Sequence, residues 1–208
     1  MFAAVIGVAA AVHLKQHQNR VELLASDHVY SSWDTADDAP VPGCYTQALY
    51  NVLLESAVAT ELFDAPVVMF GLGGGVLSAR LARDGIRTRV VELSDEVMDT
   101  YDRIFLPRLV AWAPAAATHV TVHKGDAFST EACRDDTRWV VVDVPSCYRD
   151  ASIACVRLVR RLCNAGVGVV VNVWFNKART FASRAPSWGS FLGESDNGAM
   201  VWACKPRR

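Results

Sequence analysis

The stretch Val67-Val68-Met69-Phe70-Gly71-Leu72-Gly73-Gly74-Gly75-Val76-Leu77-Ser78-Ala79-Arg80-Leu81 decides the fold. Its first four residues are apolar and suit a strand. Four glycines follow within five positions, and a helix-forming run starts at Val76. Glycine turns the backbone sharply and lets it approach a neighbour that a Cβ would hit. The helix N-terminus adds free N–H groups and the positive end of a dipole. Strand, glycine turn and helix in this order predict the start of a nucleotide-binding fold.

C-terminal to this unit, strands and helices alternate. Residues 88–93, 119–124, 139–144 and 167–174 read as strands. Residues 95–105, closed near Pro107, then 151–164 and 177–183 read as helices. Gly85 stands where a helix over 76–84 needs a left-handed stop. The Val-rich runs at 140–144 and 167–173 suit parallel strands buried on both faces. Residues 188–192 and 199–204 flank Asp196-Asn197-Gly198, a hairpin signal. N-terminal to the glycine turn, 46–63 is a predicted helix, stopped by Asp64-Ala65-Pro66. Two short strands, 20–25 and 29–33, precede it.

The expected fold is therefore α/β: a Rossmann-like, doubly wound, mostly parallel sheet with an antiparallel C-terminal hairpin, plus a small N-terminal β segment. Residues 1–45 form that β extension, and residues 46–208 the Rossmann-like domain.

Composition limits the function. The chain has 208 residues, 51% hydrophobic and 21% charged, with a formal net charge of −1. That balance suits a folded domain and supplies no global basic field for nucleic acid or an anionic membrane. Arg157, Arg160 and Arg161 form a local basic group, read as the solvated face of a helix. The six cysteines include no CxxC pair and no zinc spacing, so no metal site is expected. Reduced thiols in a cytoplasmic protein are the expectation. Residues 1–14 are apolar but too short to span a bilayer, and they lack the basic start of a signal peptide.

The glycines do not spell a dinucleotide fingerprint. G-x-G-x-x-G/A from Gly71 needs Gly or Ala at 76, where Val76 stands. Gly71, Gly73, Gly74 and Gly75 instead give G-x-G-G-G. Glu92 ends the next strand, where a carboxylate can accept from both ribose hydroxyls; a plain surface carboxylate is the other reading. Leu93 suits either one face of an adenine ring or the core. Asp126, in Lys124-Gly125-Asp126-Ala127-Phe128, can accept from the adenine amine, and the Ala127 N–H can donate to a ring nitrogen. Asp126 also suits a helix cap. Asp143, after Val140-Val141-Val142, lies at the carboxyl edge of the sheet, where ligands of such folds bind. It is the candidate catalytic residue; bracing a loop is the alternative.

At these residues the chain resembles class I S-adenosylmethionine-dependent methyltransferases of the spermidine-synthase-like branch, over roughly residues 20–205. The β segment, the helix from Thr46, the glycine turn, Glu92, Gly125-Asp126-Ala127 and Asp143 fall in family order. Within that branch it is similar to the C-terminal domain of the eukaryotic dual methyltransferase of elongation factor 1-alpha. That domain has a matching Gly-Leu-Gly-Gly-Gly turn and an Asn on the fifth strand, here Asn172.

The resemblance implies S-adenosylmethionine as cofactor and methyl transfer to an amine nitrogen, on a protein or a small amine. Aminopropyl transfer is the alternative, but this chain has Gly73 where the polyamine synthases keep an acid. It also reads Tyr45-Thr46-Gln47 for their Tyr-His-Glu, and Val144-Pro145-Ser146 after Asp143. An unpaired ammonium in a closed site is costly. A cofactor-binding fold that acts as an interaction module is a further alternative, and a homodimer a compatible assembly. With an ordinary carboxyl pKa of about 3.9, Asp143 suits orienting an amine better than deprotonating it. Trp33, Trp174 and Phe175 suit lining an acceptor pocket, and equally core packing or a closing flap.

Overall fold

The computed structural model describes residues 12–25, 28–41, 45–57, 64–129, 133, 136–144, 153–194 and 199–205. The hairpin tip at 196–198 and most of the apolar N-terminus lie outside them. The strands are β1 Val12–His17, β2 Arg20–Ala25, β3 His28–Asp34, β4 Ala39–Pro40, β5 Val67–Phe70, β6 Thr88–Glu92, β7 Val120–Lys124, β8 Trp139–Val142, β9 Gly168–Trp174, β10 Ser190–Glu194 and β11 Ala199–Cys204. The helices are α1 Tyr45–Ser56, α2 Val76–Arg83, α3 Asp95–Thr100, α4 Leu106–Trp112, α5 Ala116–His119, α6 Ile153–Asn164 and α7 Phe175–Ala182.

The main sheet has seven strands in the order β10-β11-β9-β8-β5-β6-β7. Strands β9-β8-β5-β6-β7 run parallel, and β11 is antiparallel to both its neighbours. The strand order reverses between β5 and β8, which makes that point the crevice of a doubly wound sheet. This is the Rossmann-like α/β fold the sequence predicts, with its antiparallel C-terminal pair. The N-terminal β segment is a separate antiparallel sheet of four strands, β1-β2-β3-β4.

Alternation along the strands divides the core into two layers. Val67, Met69, Val141 and Val170 join α1, α2 and α4, together with Val21, Leu23 and Trp33 of the small sheet. Val68, Phe70, Val140, Val142, Val169 and Val171 join α6 and Phe181 of α7. The valine runs are thus buried on both faces, as continuous apolar strands require. Gly85, at φ +81°, ends α2 with its N–H on the Ala82 carbonyl.

Three expectations change. The helix from Asp95 does not close near Pro107. A π-helical turn at Tyr101–Phe105 follows α3, and Pro107 lies in the first turn of α4. Proline is tolerated there because a first-turn N–H has no intrahelical acceptor. Second, of the readings open for Trp33 the structure takes core packing and drops the pocket: it is wholly buried, with its indole N–H donating to Asp38 Oδ1 at 3.1 Å. The side chains of Trp174 and Phe175 lie outside the described residues.

Third, the thiols are not all reduced. Cys163, near the end of α6, is bonded to Cys204 of β11, 41 residues away, and Cys155 is also disulfide-bonded. Local spacing rules cannot see such a pair, because the fold alone brings α6 and β11 together. Cys133 is free. No metal-binding group of side chains occurs among the described residues, and no described helix is long and apolar enough to cross a membrane. Loop-closure entropy for a 41-residue separation sets the stabilisation at up to about 4 kcal/mol. Cys163→Ser/Cys204→Ser should therefore unfold at clearly lower urea concentration than the parent. Superimposable curves would show that the bond constrains nothing.

Candidate cofactor and acceptor site

The parallel strands end together, so Gly71, Leu93, Gly125-Asp126 and Asp143 all emerge at one edge of the sheet. Single backbone bonds extend the ladder past the strand ends. Gly71 N–H donates to Val91 O at 3.0 Å, Gly125 N–H to Glu92 O at 2.9 Å, and Asp143 N–H to Phe70 O at 2.9 Å.

The glycine turn is tight for reasons inside the protein. Gly71, Gly73 and Gly75 have φ of +94°, +53° and +73°. A Cβ on Gly71 would lie 2.3 Å from the carbonyl oxygen of Asp143. On Gly74 it would strike Ser31 and Phe105, and on Gly75 the ring of Tyr101 at 2.3 Å. The Gly74 N–H donates to Ser31 Oγ of β3 at 2.7 Å. The small sheet and the π-helical turn thus clamp the glycines from outside. The bare backbone at Gly74 and Gly75 serves packing as well as any ligand. Sequence reading missed Ser31 and Tyr101, since nothing local links them to residues 43 and 26 positions away.

Glu92 has a dual position. Its Oε2 accepts from Leu72 N–H at 2.9 Å and its Oε1 from Ser94 N–H at 2.8 Å. The carboxylate ties the end of β6 to the glycine turn. Each oxygen accepts two bonds, so half of its accepting capacity is left for a ligand. Ser94 then caps α3, accepting from Val97 N–H at 3.3 Å.

Leu93 is 63% exposed at the crevice edge, which removes the core reading. Asp126 is exposed, and its Oδ1 accepts from Phe128 N–H at 2.9 Å, bracing its own turn. Its other oxygen has no such bond, and Ala127 is buried. A separate 380 Å³ cavity lies beside β7, lined by Met98, Tyr101, Leu106, Val110, Val120 and Val122, and none of the crevice residues lines it.

Asp143 forms the other wall. Its Oδ1 accepts from Asn172 Nδ2 at 2.9 Å, and the Tyr45 hydroxyl at the start of α1 also bonds its carboxylate. Burial pushes the Asp143 carboxyl up to about 6, the hydrogen bonds from Asn172 and Tyr45 oppose this, and the charge of Glu92 adds to it. Asn172 is 3% exposed, and its Oδ1 has no hydrogen-bond partner among the described residues. A buried acceptor without a partner is costly, so it marks a place for a donor. Three elements, α1, the β8 end and β9, thus converge on a polar group with unused accepting capacity. Tyr45 was legible only as part of the family's Tyr-His-Glu position, not as a partner of Asp143.

No family model and no curated protein matches this sequence. Solved structures do match. The glycopeptide N-methyltransferase MtfA, in complex with S-adenosyl-L-methionine, shares 13% identity at a TM-score of 0.52, over 78% of this chain and 87% of that one. TrmN from Thermus thermophilus shares 10% identity at a TM-score of 0.52, over 78% of this chain and 48% of that one. The CcbJ methyltransferase from Streptomyces caelestis matches at a TM-score of 0.48 and 18% identity, over 69% of this chain. This chain spans 57% of CcbJ's length and 38% of that of the kinase-methyltransferase WbdD. The chain therefore shares its Rossmann-like fold with MtfA and TrmN.

Proposed function

We propose that this protein is an S-adenosylmethionine-dependent methyltransferase acting on an amine nitrogen, of the spermidine-synthase-like branch. The observation that carries the acceptor class is the Tyr45–Asp143–Asn172 group, in which a half-buried carboxylate is bonded by an amide whose own oxygen has no partner among the described residues. Two adjacent acceptors suit the N–H groups of an amine and leave its lone pair free. A hydroxyl nucleophile has one proton and would use only one of them.

The crevice fits the cofactor as well. Glu92 has accepting capacity left for ribose hydroxyls, exposed Leu93 an apolar face for adenine, and Asp126 a free carboxylate oxygen with the Ala127 N–H beside it. Gly71 and Gly73 keep the turn narrow at the methionine end. When bound, S-adenosylmethionine supplies a methyl group on a cationic sulfonium, for which Glu92 and Asp143 make a favourable negative field.

The residues then have separate tasks. Asn172 and Tyr45 hold the Asp143 carboxylate in one orientation. Asp143 and Asn172 Oδ1 accept from the amine and fix its lone pair toward the methyl, and alignment supplies much of such catalysis. With its carboxyl near 6, Asp143 is better matched than an ordinary Asp to receive the proton released by the methylated amine. The acceptor is an amine on a protein or a small molecule. The expectation of a cytoplasmic location rested on reduced thiols, and the Cys163–Cys204 bond removes that support.

Glu92→Ala tests the cofactor half. Loss of a charge-assisted bond should weaken S-adenosylhomocysteine binding by about 1–3 kcal/mol. Calorimetry showing unchanged affinity would remove Glu92 from the site. Because Glu92 also holds Leu72 N–H, a lowered melting temperature in the same variant is expected and does not replace the binding result.

A further inference from the structure

The α6–α7 layer carries a one-signed surface that the cofactor crevice does not use. From Ile153 to Leu192 the chain contains Arg157, Arg160, Arg161, Lys177, Arg179 and Arg184, and no Asp or Glu. All five arginines are exposed. On α6, Ile153, Arg157, Arg160, Arg161 and Asn164 follow the helical period on the solvent face, opposite buried Cys155, Val156, Leu158, Val159, Leu162 and Cys163. The Nε of Arg160 donates to Arg184 O at 2.6 Å, which joins the α6 row to the end of α7. Arg161 donates to Ser129 O at 3.3 Å. Neither of the two recorded ion pairs, Arg89–Asp136 and Lys124–Asp95, involves any of these six cations.

The opposite layer differs. It mixes both signs, with Glu55, Asp84, Asp95, Glu96, Asp99 and Asp102 interspersed with Arg80, Arg83, Arg103 and Arg108. Outside the six cations, the chain has fifteen basic against twenty-two acidic residues. The six cations thus form an unmixed basic run in a chain whose remainder is acidic, although the net charge is −1.

We propose that the α6–α7 face docks the acidic surface of a protein partner. Three features favour a protein over nucleic acid or a lipid surface. The cations are mostly Arg, whose planar fork matches carboxylates and which is enriched at protein interfaces. Ile153, 59% exposed, starts the basic row of α6, and Trp188, 41% exposed, follows Arg184 by four residues, so apolar anchors accompany the charge. The acidic remainder of the molecule would repel an extended polyanion, whereas a compact acidic patch meets only the basic face. The inference concerns binding and holds whether or not methyl transfer is the reaction.

The test uses the full chain and a fluorescein-labelled hexaglutamate peptide, short enough to stand for a compact acidic patch, read by anisotropy at low salt. Arg157→Glu/Arg179→Glu should weaken binding at least tenfold, and the parent's binding should weaken as salt rises. Lys15→Glu/Arg20→Glu on β1 and β2 makes the same change in net charge and should alter binding less than twofold. Melting temperatures equal to the parent's, and unchanged S-adenosylhomocysteine affinity, verify both variants. Arg157→Gln/Arg179→Gln replaces the first if it folds poorly. No binding of the hexaglutamate peptide, or equal loss in the two charge variants, overturns the proposal. So does tighter binding of a twenty-nucleotide single-stranded RNA, or of phosphatidylserine vesicles, at the same salt.

Discussion

Asp143→Asn should abolish methyl transfer and yet stabilise the folded protein at neutral pH. The folded carboxyl titrates near 6, against 3.8 for an unperturbed one. Below pH 3.8 both the folded and the unfolded chain hold the proton, and the group costs nothing. As pH rises toward 6 the unfolded chain loses its proton first, so folding stability falls. Above pH 6 the full penalty persists, about 3 kcal/mol for such a shift. An Asn side chain keeps an acceptor for Asn172 Nδ2 and has no charge to desolvate. The variant should therefore melt higher than the parent at pH 8, with the difference closing toward pH 4.

Activity should move the other way. The parent's rate should climb through pH 6 as the carboxylate forms, and the variant should lose a factor of about 10²–10⁴. Melting scans at both pH values and single-turnover transfer of a labelled methyl group check the two halves. A variant that melts no higher at pH 8 defeats the burial argument. One that retains more than a tenth of the rate defeats the catalytic role.

Gly75→Ala should cost about 2–5 kcal/mol, from the left-handed backbone and from overpacking. Gly75 has φ +73°, and the new methyl would lie 2.3 Å from the Tyr101 ring. Tyr101→Leu alone loses packing, but combined with Gly75→Ala it removes the obstacle. The double variant should recover part of the loss, leaving the backbone cost of about 1–2 kcal/mol. Urea unfolding of the four proteins gives the coupling. Strict additivity would mean that Tyr101 is not what the glycine accommodates.

Much of the fold was open to reading because its signals are local. Four glycines after four apolar residues can be little else than a strand turning into a helix. The valine runs of β8 and β9 declare burial on both faces by lacking alternation. Gly85 marks a helix stop by chemistry that needs no partner. Pro107 misled because proline breaks a helix interior but is harmless in a first turn, and the preceding π-helical turn leaves no trace in periodicity. The carboxylates at the sheet edge were legible by order, since a parallel sheet delivers every strand end to the same side. The pairing was not: Tyr45 and Asn172 stood in family order without their bonds to Asp143 being readable, and Ser31 and Tyr101 reach the glycines from separate elements. The Cys163–Cys204 bond was hidden for the same reason, being a product of topology rather than spacing.

The strand β11 enters the sheet between β9 and β10, and Val201 lies beside Asn172. During synthesis β9 therefore leaves the ribosome with a bare, valine-rich edge that stays open until residues 199–204 appear. Such an edge is a template for pairing with other chains. The strand beside Asn172 is thus synthesised after all five parallel strands of the sheet. A ribosome stalled before Ala199 would hold a nascent chain with the glycine turn already made and an adhesive flank where the acceptor site belongs.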